Sequence, residues 1–319
     1  MTPEWQKPNK TDGAMLLPVI LEPSFECDAR NEMKPIEIGG ATVTRIEESF
    51  YTDFKAATFF ADWRPEVVDE HRRWLVPGHY DERRGVLNLS VHSWLIRTGR
   101  HTVLVDTCVG NDKRSDYPAW HMKSWPYLAR LAAAGVAPEQ VDFVLCTHMH
   151  IDHIGWNTRL ENGRWVPTFP NARYVFSKTE FEAYTEIDRN TPGGRPSFQD
   201  SVLPVVEAGR ARMVEGSHAL DDHFLIEPAP GHTPGHVTIK LSAGDDRAIF
   251  IGDIMHHALQ VYHPTWNSES CADGEQARAT RRRVLEHCAS SGALMLPAHF
   301  GAPFACHIEA RGDSFAPRF

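Results

Sequence analysis

The sequence predicts an α/β protein of stacked sheets and helices. Two observations carry this: strand-like apolar runs alternate with helix-like segments along most of the chain, and several of those runs end abruptly in aspartate or histidine. With 319 residues, 42% hydrophobic and 24% charged, the chain can bury a large core as one unit or as two fused halves.

Residues 1–35 are rich in proline and polar groups and predict an extended arm, followed by a single domain over 36–319. Residues 36–46 alternate like a strand around the turn Gly39-Gly40. Residues 50–80 break that rhythm and are crowded with Phe50, Tyr51, Phe54, Phe59, Phe60, Trp63, Trp74 and Tyr80. The set suggests a lid or wall over a site, while core or subunit packing is the plainer reading for any one ring. Residues 86–96 and 101–105 read as strands joined across Thr98-Gly99-Arg100, the second running into Asp106. A helix is expected over about 125–134, stopped by Gly135, and then a buried strand at 143–146.

The second half repeats the theme. Strands are expected at 173–176, 236–241 and 248–251, the last leading to Asp253. Helices are expected at 178–184, 202–208 and 275–287, and Leu294-Met295-Leu296 leads to His299.

The formal net charge of −9 argues against a nucleic-acid partner, and Arg281-Arg282-Arg283 reads as the solvated face of a helix. No apolar run approaches the roughly 18 residues that span a bilayer. The opening residues lack the basic-then-apolar profile of a secretory leader, and the six cysteines are scattered without a C-x-x-C pair. Together these set the expectation of a cytoplasmic protein with reduced thiols and no membrane partner. The arm makes a homodimer the preferred assembly.

The decisive segment is His148-Met149-His150-Ile151-Asp152-His153, which packs four candidate metal ligands into six positions directly after an apolar strand. Imidazole and carboxylate together suit zinc and related first-row divalent ions. In an extended or tightly turned loop His148 and His150 point the same way, while Asp152 and His153 turn toward a neighbouring site. Such a cluster can feed two adjacent ions.

This H-x-H-x-D-H run is similar to the signature of the metallo-β-lactamase superfamily, and the resemblance extends from about residue 36 to His299. Asp106, His232 in Pro230-Gly231-His232, Asp253 in Gly252-Asp253 and His299 in Pro297-Ala298-His299 match its later motifs in order. The resemblance implies an αββα sandwich with two divalent metal ions at one edge. It further implies that His148, His150 and His232 hold one ion, that Asp152, His153 and His299 hold the other, and that Asp253 is shared. Asp106 would orient ligands from behind. Taken singly, His232 is equally a turn histidine, Asp253 a helix cap, His299 a core histidine and Asp106 a turn residue. His236 reads as a turn histidine that begins the next strand.

Two such ions, about 3.5–4 Å apart, acidify a shared water and polarise a substrate oxygen, which implies hydrolysis without a protein nucleophile. Asp152, Asp253 and His256 are the catalytic candidates. His256 departs from the tyrosine that lactonases of the family often carry three positions after the bridging aspartate, and resembles the methyl parathion hydrolase branch instead. A zinc β-lactamase of the commonest sort would have cysteine in place of Asp253. The expectation is a hydrolase of a small, fairly hydrophobic ester or lactone. A phosphotriesterase is the second reading, and a non-catalytic metal-binding or ligand-sensing protein the third. Zinc is the default metal, with manganese, iron or cobalt also compatible.

Overall fold

The computed structural model describes residues 33–319, so the expected arm lies almost entirely outside the described residues. The larger sheet has eight strands. Its order is Ile36–Ile38, Ala41–Lys55, Val86–Arg97, Thr102–Val105, Phe143–Leu145, Arg173–Ser177 and Ala211–Val214, with Tyr80–Asp81 pairing on Val86–Arg97. The second sheet runs His218–Ala219, Phe224–Pro228, Val237–Ala243, Asp246–Gly252 and Leu294–Pro297.

Side-chain parity sorts the strands into layers. Val103, Val105, Leu145 and Val175 meet Ile239, Leu241, Phe250 and Leu296 between the sheets. Their neighbours Leu104, Val144, Tyr174 and Phe176 point the other way, onto Tyr127, Leu131, Tyr184 and Phe198 of outer helices. On the far side Ile249, Ile251 and Met295 pack on Val284, Leu285 and Cys288 of the helix Gly274–Ser291. The result is helix, sheet, sheet, helix, as expected.

Adjacent strands that run parallel fix where the site forms. Thr102–Val105 pairs parallel with Phe143–Leu145, and Asp246–Gly252 with Leu294–Pro297, so each pair ends level. Their C-terminal ends deliver Asp106 and the histidine cluster from one sheet, and Asp253 and His299 from the other. Crevices beyond such strand ends are where open α/β sheets hold ligands.

The region from residue 50 differs from expectation. The strand that starts at Ala41 continues to Lys55, and helices Ala56–Phe59 and Glu66–Leu75 follow. Register shifts at Glu47/Ser49 and Tyr51/Phe54 disturb the two-residue alternation, which hides the strand from a periodicity reading. Many of its aromatics are core: Phe59, Phe60 and Tyr80 pack with Val67, Leu75, Leu259 and Trp266. The helix Lys178–Asn190 outlasts its expected end, and the hairpin Thr158–Glu161 with Arg164–Pro167 carried no clear signal. Among the described residues no helix is long and apolar enough to cross a membrane.

Candidate metal centre

After Phe143–Leu145 the chain leaves the strand, bends at Thr147 and reaches His150, whose own backbone is extended, and a one-turn helix, Ile151–Ile154, begins there. His148 and His150 turn to the same side, and the helical turn swings Asp152 and His153 away from them. The nitrogens converge accordingly. His150 Nδ1 lies 3.0 Å from His148 Nε2 and 2.8 Å from His232 Nε2. His153 Nε2 and His299 Nε2 lie 3.3 Å apart, with Asp152 Oδ2 at 3.7 and 3.5 Å from them.

Asp253 stands between the two groups. Its Oδ2 is 3.3 Å from His232 Nε2 and 3.7 Å from His148 Nε2, while Oδ1 is 3.0 Å from His299 Nε2 and 3.2 Å from His153 Nε2. Thus the residues expected from the resemblance come together in the two groups it implied.

This arrangement fits divalent ions. Ring nitrogens facing one another at about 3 Å repel unless a proton or a cation lies between them, and Asp253 Oδ1 is buried without a hydrogen bond. Ligands about 2.0–2.1 Å from a shared tetrahedral ion are separated by a little over 3 Å, close to the spacing found.

The outward nitrogens are committed elsewhere, which aims the inward ones. His153 Nδ1 bonds Asp106 Oδ2 at 2.9 Å, His299 Nδ1 bonds the Ser90 carbonyl at 2.8 Å, and His148 Nδ1 lies 3.1 Å from Thr147 Oγ1. Asp106 also accepts from Thr147 N and Oγ1 at 2.8 and 2.7 Å. His236, expected as a turn residue, does more than close a turn. It is buried, and its Nε2 accepts from Asp253 N at 3.1 Å, so it braces the central carboxylate.

The loop that carries Asp106 is itself held under strain. Asp106 and Cys108 have φ of 57° and 51°, a region that side chains disfavour. Buried Glu48 accepts from Val109 N and Gly110 N, both at 2.9 Å, and from Trp156 Nε1 at 2.7 Å. The loop lies so close to Gly155 that a Cβ there would be 1.7 Å from the Val109 carbonyl oxygen.

Electrostatics divide the imidazoles. Burial, assisted by neighbouring histidines, holds His148 and His150 well below the ordinary histidine range, so they are neutral and ready to donate lone pairs. Burial also pulls His153 and His299 down, but Asp253, Asp152 and, for His153, Asp106 outweigh it and raise both. His232 is lifted to about 9 in the same way: burial opposes, and Asp253 and Cys271 prevail. These raised values register the negative charge that a divalent cation would neutralise.

His256 touches the centre directly. Its Nε2 is 3.2 Å from Asp253 Oδ2, its ring stacks parallel to that of His299 at 5.9 Å, and burial lowers it to about 4. From His256 a row of rings leads outward: Phe59 at 5.5 Å, then Phe54, Tyr51, Trp120 and exposed Tyr117, each within 6.3 Å of the next. On the opposite flank a cavity of about 450 Å³ is lined by Tyr184, Ile187, Gly231, Thr233, Ala272 and Gln276. Tyr184 reaches to within 6.4 Å of the His150 ring. Tyr262 and Trp266, which follow Asp253 in the sequence, pack on Trp74 and on Phe60.

A sequence model of the metallo-beta-lactamase superfamily matches residues 87–286. The N-acyl homoserine lactonase AiiA of Bacillus thuringiensis subsp. kurstaki is 21% identical over 178 residues, covering 52% of this chain and 64% of that protein. The chain therefore spans under two thirds of that relative. The probable metallo-hydrolase YybB of Bacillus subtilis (strain 168) is 26% identical over 181 residues, 56% of this chain and 68% of its own. Among solved structures, the hydrolase AbOPH superposes with a TM-score of 0.74 at 22% identity, covering 89% of this chain and 95% of that one. AidC, a dizinc quorum-quenching lactonase in complex with a product, N-hexanoyl-L-homoserine, gives 0.72 at 20% identity, covering 91% and 98%.

Proposed function

This chain belongs to the metallo-beta-lactamase superfamily, and from that premise we propose that it is a two-metal hydrolase of a small, fairly hydrophobic ester or lactone. The observation that carries the reading is Asp253, which offers one oxygen to each of two groups of converging donors. His148, His150 and His232 would hold one ion, and Asp152, His153 and His299 the other. Ions bound there would acidify a water and polarise the substrate carbonyl.

The chain's own groups supply the rest. Asp152, near the rim of the second group, is the carboxylate placed to accept a proton. His256 keeps a neutral imidazole against Asp253, positioned to hydrogen-bond a developing oxyanion or to donate to a leaving alcohol. The row of rings from Phe59 to Tyr117 gives apolar substrate atoms a dry wall, and the flanking cavity is large enough for an acyl chain. N-acyl homoserine lactones are the first lactones to test, because similar proteins carry that activity in their names.

A specific observation keeps a second reading: the Asp253-x-x-His256 contact also suits a phosphotriester, whose developing oxyanion or departing oxygen the imidazole N–H would hydrogen-bond. Zinc is our choice of ion, and a cytoplasmic homodimer our choice of setting.

The test is elemental analysis of the purified protein, followed by a panel of aryl esters, acyl lactones and phosphotriesters. Two equivalents of metal with turnover of an ester or lactone are expected. Preference for the phosphotriester would promote the second reading, and full metal loading with no turnover on any of them would make the protein a binder rather than an enzyme.

A further inference from the structure

The loops that carry the first group's imidazoles come from opposite sheets, and one buried carboxylate touches both. Glu180 lies in the first turn of the helix Lys178–Asn190 and is only 1% exposed. Its Oε1 accepts from Met149 N at 3.0 Å, and its Oε2 accepts from Gly235 N at 2.8 Å. Met149 sits between His148 and His150. Gly235 follows His232 by three residues and precedes His236, which bonds Asp253.

The fit is close enough to have dictated a neighbour. A Cβ at Gly235 would lie 2.1 Å from Glu180 N, so only glycine lets the helix come this near. Burying a carboxylate is costly unless its oxygens are bonded, and here each oxygen has a backbone donor, one from each loop. Among the described residues the loops share one further backbone hydrogen bond, from Val237 N to the Thr147 carbonyl at 2.9 Å.

We propose that Glu180 is a positioning residue for the metal centre, a clamp that sets the separation of His148 and His150 from His232. The inference rests on the metal reading above and adds a residue that touches neither ion nor substrate. A glutamine has a single acceptor oxygen, and its amide NH2 would face an N–H, so one loop is released without loss of volume. An aspartate keeps the charge but is one methylene too short to reach both.

The experiment compares Glu180→Gln and Glu180→Asp with the wild type. It reads chelator competition for zinc, the electronic spectrum of the cobalt-substituted protein, the gain in melting temperature on metal addition, and kcat and KM separately. Both variants are expected to bind one of the two ions about 10–100-fold more weakly, as for other residues behind metal ligands. They should also shift the cobalt bands, gain less from added metal, and lose kcat more than KM. Variants that melt lower but keep wild-type zinc affinity and cobalt bands would overturn the clamp and leave the metal reading intact. A wild-type protein that binds no divalent ion would overturn both. If the glutamine variant does not fold, the aspartate variant decides by the same readings.

Discussion

Among the described residues three groups of histidine and carboxylate donors each lie within 4.8 Å; two of them meet at Asp253 to form a central cluster, the third is peripheral, and the central and peripheral clusters are not equivalent. The central one, around Asp253, is buried, and its nitrogens face one another. The peripheral one joins Glu70 and His71 of the helix Glu66–Leu75 to His263. There both Glu70 oxygens already hold Arg64, at 2.5 and 2.9 Å. His71 lies against Tyr262 at 4.2 Å and His263 stacks on Trp266 at 4.5 Å. The peripheral carboxylate has spent its valence on a partner, and its rings pack as aromatics. The central groups have their outer atoms tied down and their inner atoms unspent. Proximity of ligand types is thus the weaker criterion, and unsatisfied, braced donors the stronger one.

The largest expected effect breaks the central cluster at its shared member. Asp253→Ala should cut bound metal below two equivalents and slow hydrolysis by about 10³-fold, the several kcal/mol a bound ion supplies at about 1.36 kcal/mol per decade. Wild-type metal content in that variant would erase the distinction between the clusters. Asp106→Asn disturbs the oxygen that braces His153 and accepts from Thr147 Oγ1, and should weaken binding at the second group by about 10–100-fold in chelator titrations. Gly155→Ala drives a methyl into the Val109 carbonyl, and overpacking of that kind should cost about 3 kcal/mol in denaturant unfolding.

The ground between the clusters gives a pH test. His79 and His257 each contact Trp74, which in turn touches His71. Burial lowers them to about 4 and about 3, so the unfolded chain takes up protons that the folded one refuses. Stability should therefore fall as pH drops from about 6.5 toward 3, with about 3 kcal/mol of the loss due to His79 and complete near pH 4, and His257 extending it lower. His257→Gln should flatten that slope in urea titrations read across pH. The smallest effect is the control on the periphery: His71→Ala with His263→Ala should leave metal stoichiometry at its wild-type value. A loss of one equivalent would show that exposed, already paired donors bind as well.

Much of this was legible in the sequence because the central donors are either crowded into one hexapeptide or sit just after apolar strands. The layers followed from the same alternation, with neighbours such as Val103 and Leu104 facing opposite cores. What escaped has a common cause. Glu48, Glu180 and His236 act by accepting backbone N–H groups from residues far along the chain, and a backbone N–H carries no residue identity to search for. The strand to Lys55 escaped because bulges scramble its period, and the cavity because Tyr184 and Gln276 meet only after the two halves close.

His299 exchanges hydrogen bonds with Ser90 in both directions, its backbone carbonyl accepting from Ser90 N at 3.0 Å. A cation held by His153 and His299 therefore closes a loop that runs from one sheet through the ion to the other and back across that pair. Unfolding either half would strip ligands from it, so free metal concentration becomes a thermodynamic variable of the whole sandwich. Occupancy should raise the melting temperature with the logarithm of available ion, and chelation should lower it.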